Sequence, residues 1–217
     1  MIVLPFAGGG AEAFSNFVVS LKKERNDIAV YFIRYLYSIE ECENAANEIS
    51  TLLKDKEIVF YSHCVGSAVA LQIVSLLEKQ NFTIKHYFAG ASIPPAKPTS
   101  KNIWNYVPDR IVKRILLKAG ADFGNLSDEK IALFLKKFRK DTDFAGVGFA
   151  QCKGRIKTPT SVVLSKKDLF TKNYGKTQNF WKKYVWNITE ISFIDSDGHY
   201  FQKDNSDELV DIILKTI

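Results

Sequence analysis

A chain of 217 residues, 46% hydrophobic and 25% charged, is long enough to bury one substantial core and falls within the usual size of a single α/β domain. The net charge of +6 is mild and its lysines and arginines are scattered through helical patterns, which argues against a nucleic-acid-binding arm; no apolar run approaches membrane-spanning length. Three widely spaced cysteines, Cys42, Cys64 and Cys152, match neither a disulfide framework nor a zinc cluster and suit a reducing cytoplasm.

Met1 to Phe6 is apolar but short, lacks a basic leader and runs into Gly8-Gly9-Gly10, so it reads as a first strand, Ile2 to Pro5, and not as a signal peptide. An amphipathic helix follows from Ala13 to Lys23, then a strand from Ile28 to Arg34. Ser38 precedes Glu41 by three residues, a capping-box signal for a helix reaching about Leu53. Glu57 to Tyr61 and Thr83 to Ala89 read as strands on either side of an apolar helix, Gly66 to Lys79. This alternation predicts a mostly parallel sheet flanked by helices on both faces.

After Ser92 the rhythm breaks. Ile93-Pro94-Pro95-Ala96-Lys97-Pro98 resists helix, and helical patterns over Asn102 to Ala119 and Ser127 to Lys140 precede strands at Thr160 to Ser165 and Ile188 to Ile194. One domain over residues 1–217 is predicted, with a helical lid insertion over about 93–150; a helical pair packed on the core is the competing reading. Trp104, Tyr106, Phe123 and Phe134 suit an apolar chamber or the interior of the lid equally. Lys101, Arg110, Lys113, Arg114 and Lys118, with Lys136, Lys137, Arg139 and Lys140, are either a positive rim for an acidic protein or solvated helix faces.

Parallel sheets carry chemistry at the carboxyl ends of their strands. Ser62-His63-Cys64-Val65-Gly66 lies between a strand and a helix in the small-x-nucleophile-x-Gly pattern of a sharp turn, with a thiol in the central position. Asp168 follows the strand Thr160 to Ser165, and His199 follows Ile188 to Ile194. The order nucleophile, acid, histidine is that of α/β-hydrolases. In this reading His199 takes the Cys64 proton, Asp168 holds the imidazole tautomer, and the N–H groups of Ala7 and Val65 form an oxyanion hole. Asp195 and Asp197 compete with Asp168 as the acid; His63 and His86 read as packing or orienting residues. The glycine run matches no Rossmann or P-loop fingerprint and no residue group has metal-ligand spacing, so no cofactor or metal is called for.

With these residues in place, the chain resembles the stand-alone type II thioesterases of nonribosomal peptide and polyketide assembly lines. Leu4 to Ala11 is similar to that family's P-[YF]-A-G-G opening, Ser62 to Gly66 to its G-H-S-M-G elbow, Phe138 to Asp141 to its R-x-D stretch, and Gly198 to Phe201 to its G-H-F-F. The resemblance implies a mostly parallel α/β-hydrolase fold and an acyl or aminoacyl substrate thioesterified to the phosphopantetheine of an acyl or peptidyl carrier protein. Neither nucleic acid nor membrane is implied. Three departures qualify it: Cys64 where the family has serine, Ser62 where it has glycine, and fewer residues ahead of the first motif, which predicts a minimal sheet. Attack by a thiol exchanges one thioester for another, so hydrolysis, acyl transfer or cyclisation, and a non-catalytic carrier-binding module all stay open. So does an engineered serine-to-cysteine trap.

Overall fold

The computed structural model describes residues 1–95, 102–152 and 154–217. Its strands are β1 (Ile2–Leu4), β2 (Tyr31–Phe32), β3 (Val59–His63), β4 (His86–Gly90), β5 (Thr160–Ser165) and β6 (Ile188–Ile194). The helices are α1 (Ser15–Glu24), α2 (Ile39–Leu52), α3 (Gly66–Lys79), α4 (Asp109–Lys118), α5 (Asp128–Gln151), α6 (Thr177–Trp181), α7 (Phe201–Asp204) and α8 (Ser206–Leu214). All strand pairs are parallel, in the order β2-β1-β3-β4-β5-β6. The predicted parallel sheet is therefore present.

The strand order reverses between β1 and β3: the chain first steps outward to β2, then returns to β1's other side. Leu4 pairs with Ser62, so the loops after these two strands open together at the switch point where such sheets bind ligands. One face of the sheet is covered by α2, α3 and the second half of α5, with Leu71, Val74, Leu77, Phe144 and Phe149 in the core. The other is covered by α1 and α8 through Phe14, Phe17, Leu21, Leu209 and Ile213. A third apolar cluster lies over the carboxyl ends of the strands, where Val112, Leu116, Phe123, Ile131, Leu135 and Phe138 pack on Ala7 and Val65.

Several boundaries differ from the sequence reading. The second strand shrinks to Tyr31–Phe32, because short β1 supplies partners only as far as the bonds Tyr31 N–H to Met1 O and Ile33 N–H to Val3 O. Pro108 divides the segment from Asn102: residues Ile103–Tyr106 form a single 3₁₀ turn and α4 starts at Asp109. Helix α5 does not stop near Lys140 but runs on to Gln151. Its Gly148 packs against Ala68 of α3, and the Gln72 side chain donates to the Gly148 carbonyl at 2.6 Å, so this glycine permits close helix packing. Ala96, Lys97 and Pro98 of the proline-rich connection, and Lys101 of the basic set, lie outside the described residues. Among the described residues no helix is long and apolar enough to cross a membrane.

Candidate active site

The turn after β3 places Cys64 at φ +56°, a left-handed conformation that a non-glycine residue adopts only under strain, and strain of this kind clusters at functional sites. Its N–H bonds the Gly90 carbonyl at 2.9 Å, and α3 begins two residues on. Gly66 is demanded by proximity: a Cβ there would lie 2.5 Å from the Pro5 carbonyl oxygen and 2.7 Å from that of Leu4. The elbow is thus wedged against the end of β1. Cys64 is half-buried and all three cysteines are free thiols. Burial pushes Cys42 up to about 12 and Cys152 up to about 11, which leaves both as poor nucleophiles.

His199 is buried and clamped at three points. Its N–H donates to the Ala119 carbonyl at 2.9 Å, its carbonyl accepts from His63 Nε2 at 2.8 Å, and its Nδ1 meets Asp168 Oδ2 at 2.8 Å. Gly198 is needed beside it, since a Cβ would fall 2.6 Å from the same Ala119 oxygen. His199 Nε2 is buried and has no hydrogen-bond partner, and the Cys64 thiol lies near enough to act on the ring electrostatically. Burial opposes a charge on this ring, but the thiolate form of Cys64 and the Asp168 carboxylate outweigh it and raise the affinity of His199 for a proton.

Asp168 is 1% exposed, yet its affinity for a proton is lowered: burial works the other way, and the bonds from His199, Phe170 N–H (2.8 Å) and Thr171 Oγ1 (2.7 Å) prevail. Asp195 and Asp197 do not compete. Their side chains are exposed and face Lys167, at 4.0 and 2.6 Å. His63 lies behind the site: its Nδ1 accepts from the Tyr61 hydroxyl at 2.8 Å, which leaves Nε2 as the donor to His199. Burial, with His199 adjacent, lowers His63 to about 3. His86, in β4, bonds Ser161 Oγ at 2.9 Å, away from the site.

Ala7 and Val65 flank the elbow, and among the described residues the N–H of neither is hydrogen-bonded to protein. The loop carrying Ala7 is held from α5. Asp141, fully buried, accepts from Gly8 N–H at 2.7 Å, Tyr37 Oη at 2.8 Å and Lys137 Nζ at 2.8 Å, and Lys137 also reaches the Gly9 carbonyl. In sequence Asp141 was only a motif position, because its partners lie up to 133 residues away. Arg139 in the same stretch binds the carbonyls of Trp104 and Val107 and pairs with Asp109 at 2.7 Å. Lys140 sits 3.7 Å from the Tyr37 ring centre. Lys137, Arg139 and Lys140 are thus engaged within the fold. Phe170, 4.9 Å from the His199 ring and 6.2 Å from Trp104, links the histidine to the third cluster.

No protein-family model and no curated protein matches the chain. Solved structures do. YbtT, a type II thioesterase from the yersiniabactin NRPS/PKS biosynthetic pathway, superposes with a TM-score of 0.80 at 19% identity, over 99% of this chain and 91% of its own. RedJ, the thioesterase from the prodiginine biosynthetic pathway in Streptomyces coelicolor, gives 0.82 at 16% identity, over 100% and 89%. Human thioesterase 2 gives 0.69 at 16% identity, over 98% and 92%. The chain has the α/β-hydrolase fold. In an α/β-hydrolase the turn after a central strand presents a side chain at the head of a helix, and here that side chain is Cys64.

Proposed function

We propose that this chain is a thioesterase of the type II kind, acting on acyl or aminoacyl groups thioesterified to the phosphopantetheine of a carrier protein. The observation that carries the reading is the Asp168–His199 pair at 2.8 Å, with His199 Nε2 left unpartnered and Cys64 on a strained elbow nearby. Likeness of fold to several thioesterases from NRPS/PKS pathways supports the substrate class. Under this reading α4 and the first half of α5 form a lid over the elbow.

His199 Nε2 takes the Cys64 proton, and the sulfur attacks the thioester carbonyl. Charge develops on the carbonyl oxygen within reach of the Ala7 and Val65 N–H groups, with the positive end of α3 behind them. Collapse breaks the bond to the pantetheine sulfur, which leaves with the proton from His199. A water then gives a proton to His199 and attacks the acyl-Cys64 thioester, releasing the acid and restoring the thiol. Asp168 holds the imidazole in the required tautomer throughout.

A second reading has its own support. Because acyl-Cys64 is still a thioester, it stays reactive toward amines and hydroxyls. The rings of Phe170, Tyr200 and His63, centred 4.9, 5.2 and 5.4 Å from that of His199, give the histidine a largely aromatic setting that disfavours water. Transfer or cyclisation is therefore the alternative outcome. Intact-mass measurement after mixing with an acyl-carrier thioester tests the scheme. An adduct present in wild type and absent in Cys64→Ala is expected; neither adduct nor product would leave a carrier-binding module. If candidate amines never alter the product, transfer is excluded.

A further inference from the structure

The first residue of the elbow is a serine where the G-H-S-M-G pattern has glycine, and the Ser62 side chain is fully buried at the end of β3. Taking a hydroxyl out of water is unfavourable unless it finds partners, and a glycine or alanine would have avoided that cost. Ser62 finds two. Its Oγ lies 2.9 Å from Ser67 Oγ in the first turn of α3 and 2.7 Å from Tyr87 Oη of β4, and both partner residues are themselves fully buried.

Strand register explains how the phenol arrives there. Ser62 pairs with Ala89 and Phe60 with Tyr87, so Tyr87 lies two residues back on the same sheet face, in the core cluster that also holds Ala68 and Leu71 of α3. The small Ala89 leaves room for the phenol to reach forward to Ser62. Trp181 stands edge-on to the Tyr87 ring, with centres 6.2 Å apart.

The two links straddle the strained residue. Ser62 stands two positions before Cys64 and Ser67 three after it. The turn's own backbone bonds are Cys64 N–H to the Gly90 carbonyl and Ser67 N–H to the Cys64 carbonyl, at 2.9 and 3.2 Å. A non-glycine residue at φ +56° persists only where its surroundings over-determine it, and the Ser62 hydroxyl supplies two further constraints.

We propose that Ser62 is a positioning residue for the nucleophile: its links to Ser67 and Tyr87 hold the elbow, and with it the Cys64 thiol and the Val65 N–H, in place. One oxygen ties β3, β4 and the head of α3 together, so the elbow cannot rotate without breaking a buried hydrogen bond. A fully satisfied buried network of this kind specifies a single arrangement. The proposal rests on Cys64 being the nucleophile of the thioesterase reading.

Ser62→Gly restores the glycine of the pattern and so separates a brace from a space-filler; Ser62→Ala takes its place should the glycine variant fold poorly. With an acyl-N-acetylcysteamine thioester, kcat should fall about tenfold while KM changes by less than about twofold. That loss is smaller than the roughly 10²- to 10³-fold of a deleted oxyanion donor, because the donor is displaced and not removed. Tyr87→Phe breaks one of the same links, so the double variant should lose no more than Ser62→Gly alone. Assays run well below each variant's thermal midpoint, where lost stability by itself leaves kcat unchanged. Wild-type kcat in Ser62→Gly, an effect confined to the thermal midpoint, or losses that multiply in the double variant would each overturn the proposal. Alkylation of Cys64 by iodoacetamide, located by peptide mass, reads the elbow without a thioester. It should slow in the same variants, because the thiol is then less well seated against His199 and the head of α3. Unchanged alkylation overturns the brace. Slowed alkylation in a protein whose wild type turns over no thioester would overturn the thioesterase reading and leave the brace standing.

Discussion

The two sides of the elbow are built by different means. On the base side, Asp168 and His199 hang from the ends of β5 and β6, and His63 within β3 holds the His199 carbonyl, so sheet-borne groups and Ala119 fix the ring. On the side proposed to hold the oxyanion, the Ala7–Gly8 loop is fixed by Asp141 and Lys137 of α5, more than 120 residues distant in the chain. The base side is therefore as rigid as the sheet. The loop proposed to hold the oxyanion is only as well placed as α5.

This contrast orders the expected effects of mutation. Asp168→Asn should fold normally yet lower turnover by about 10⁴-fold, because the amide selects the wrong histidine tautomer; near-wild-type thiol release would remove Asp168 from its role. Asp141→Asn should cost less, about 10- to 100-fold in kcat with KM little changed. An asparagine cannot accept from Gly8, Tyr37 and Lys137 together, and a misplaced donor costs no more than a deleted one. A KM effect without a kcat effect would place Asp141 in substrate binding instead. In the double variant the two losses should add within about 0.5 kcal/mol if the sides are independent. A coupling well beyond that would show that α5 also positions the histidine.

How much of this was visible in the sequence follows the same division. The base side was legible because its groups follow their strands directly: Cys64, Asp168 and His199 each lie within a few residues of a strand end, and local patterning finds strand ends. Choosing Asp168 over Asp195 and Asp197 needed only loop position. The oxyanion side was half legible. Gly8-Gly9-Gly10 announced a close backbone approach, but nothing near Asp141 said that its carboxylate would cap that loop, since the pairing exists only once α5 reaches the loop after β1. The continuation of α5 past Lys140 was hidden for a related reason. Gly146 and Gly148 weaken the helical pattern locally, and the contact of Gly148 with Ala68 and Gln72 that offsets this is supplied by another helix.

The smallest expected effect concerns acid. His63 and His86 are both buried and neutral, lowered by burial to about 3 and about 4 from an ordinary value near 6.5. In the unfolded chain both bind protons as the pH drops through about 6.5, whereas in the folded protein they do not until near their lowered values. The contribution of these two rings to stability is therefore full above about pH 6.5 and is lost as pH falls toward 4, at up to about 1.4 kcal/mol per pH unit for each histidine. His86→Gln keeps a hydrogen-bonding group beside Ser161 and removes one of the two protons. Between pH 6 and 4.5, denaturant melts of this variant should show a pH slope smaller than wild type by about one proton. Because His86 lies outside the site and His63 supports the His199 loop, the slope that remains belongs in part to the base side. Equal slopes in the two proteins would mean that His86 is protonated in the folded state, and acid would then first strike elsewhere than at these buried rings.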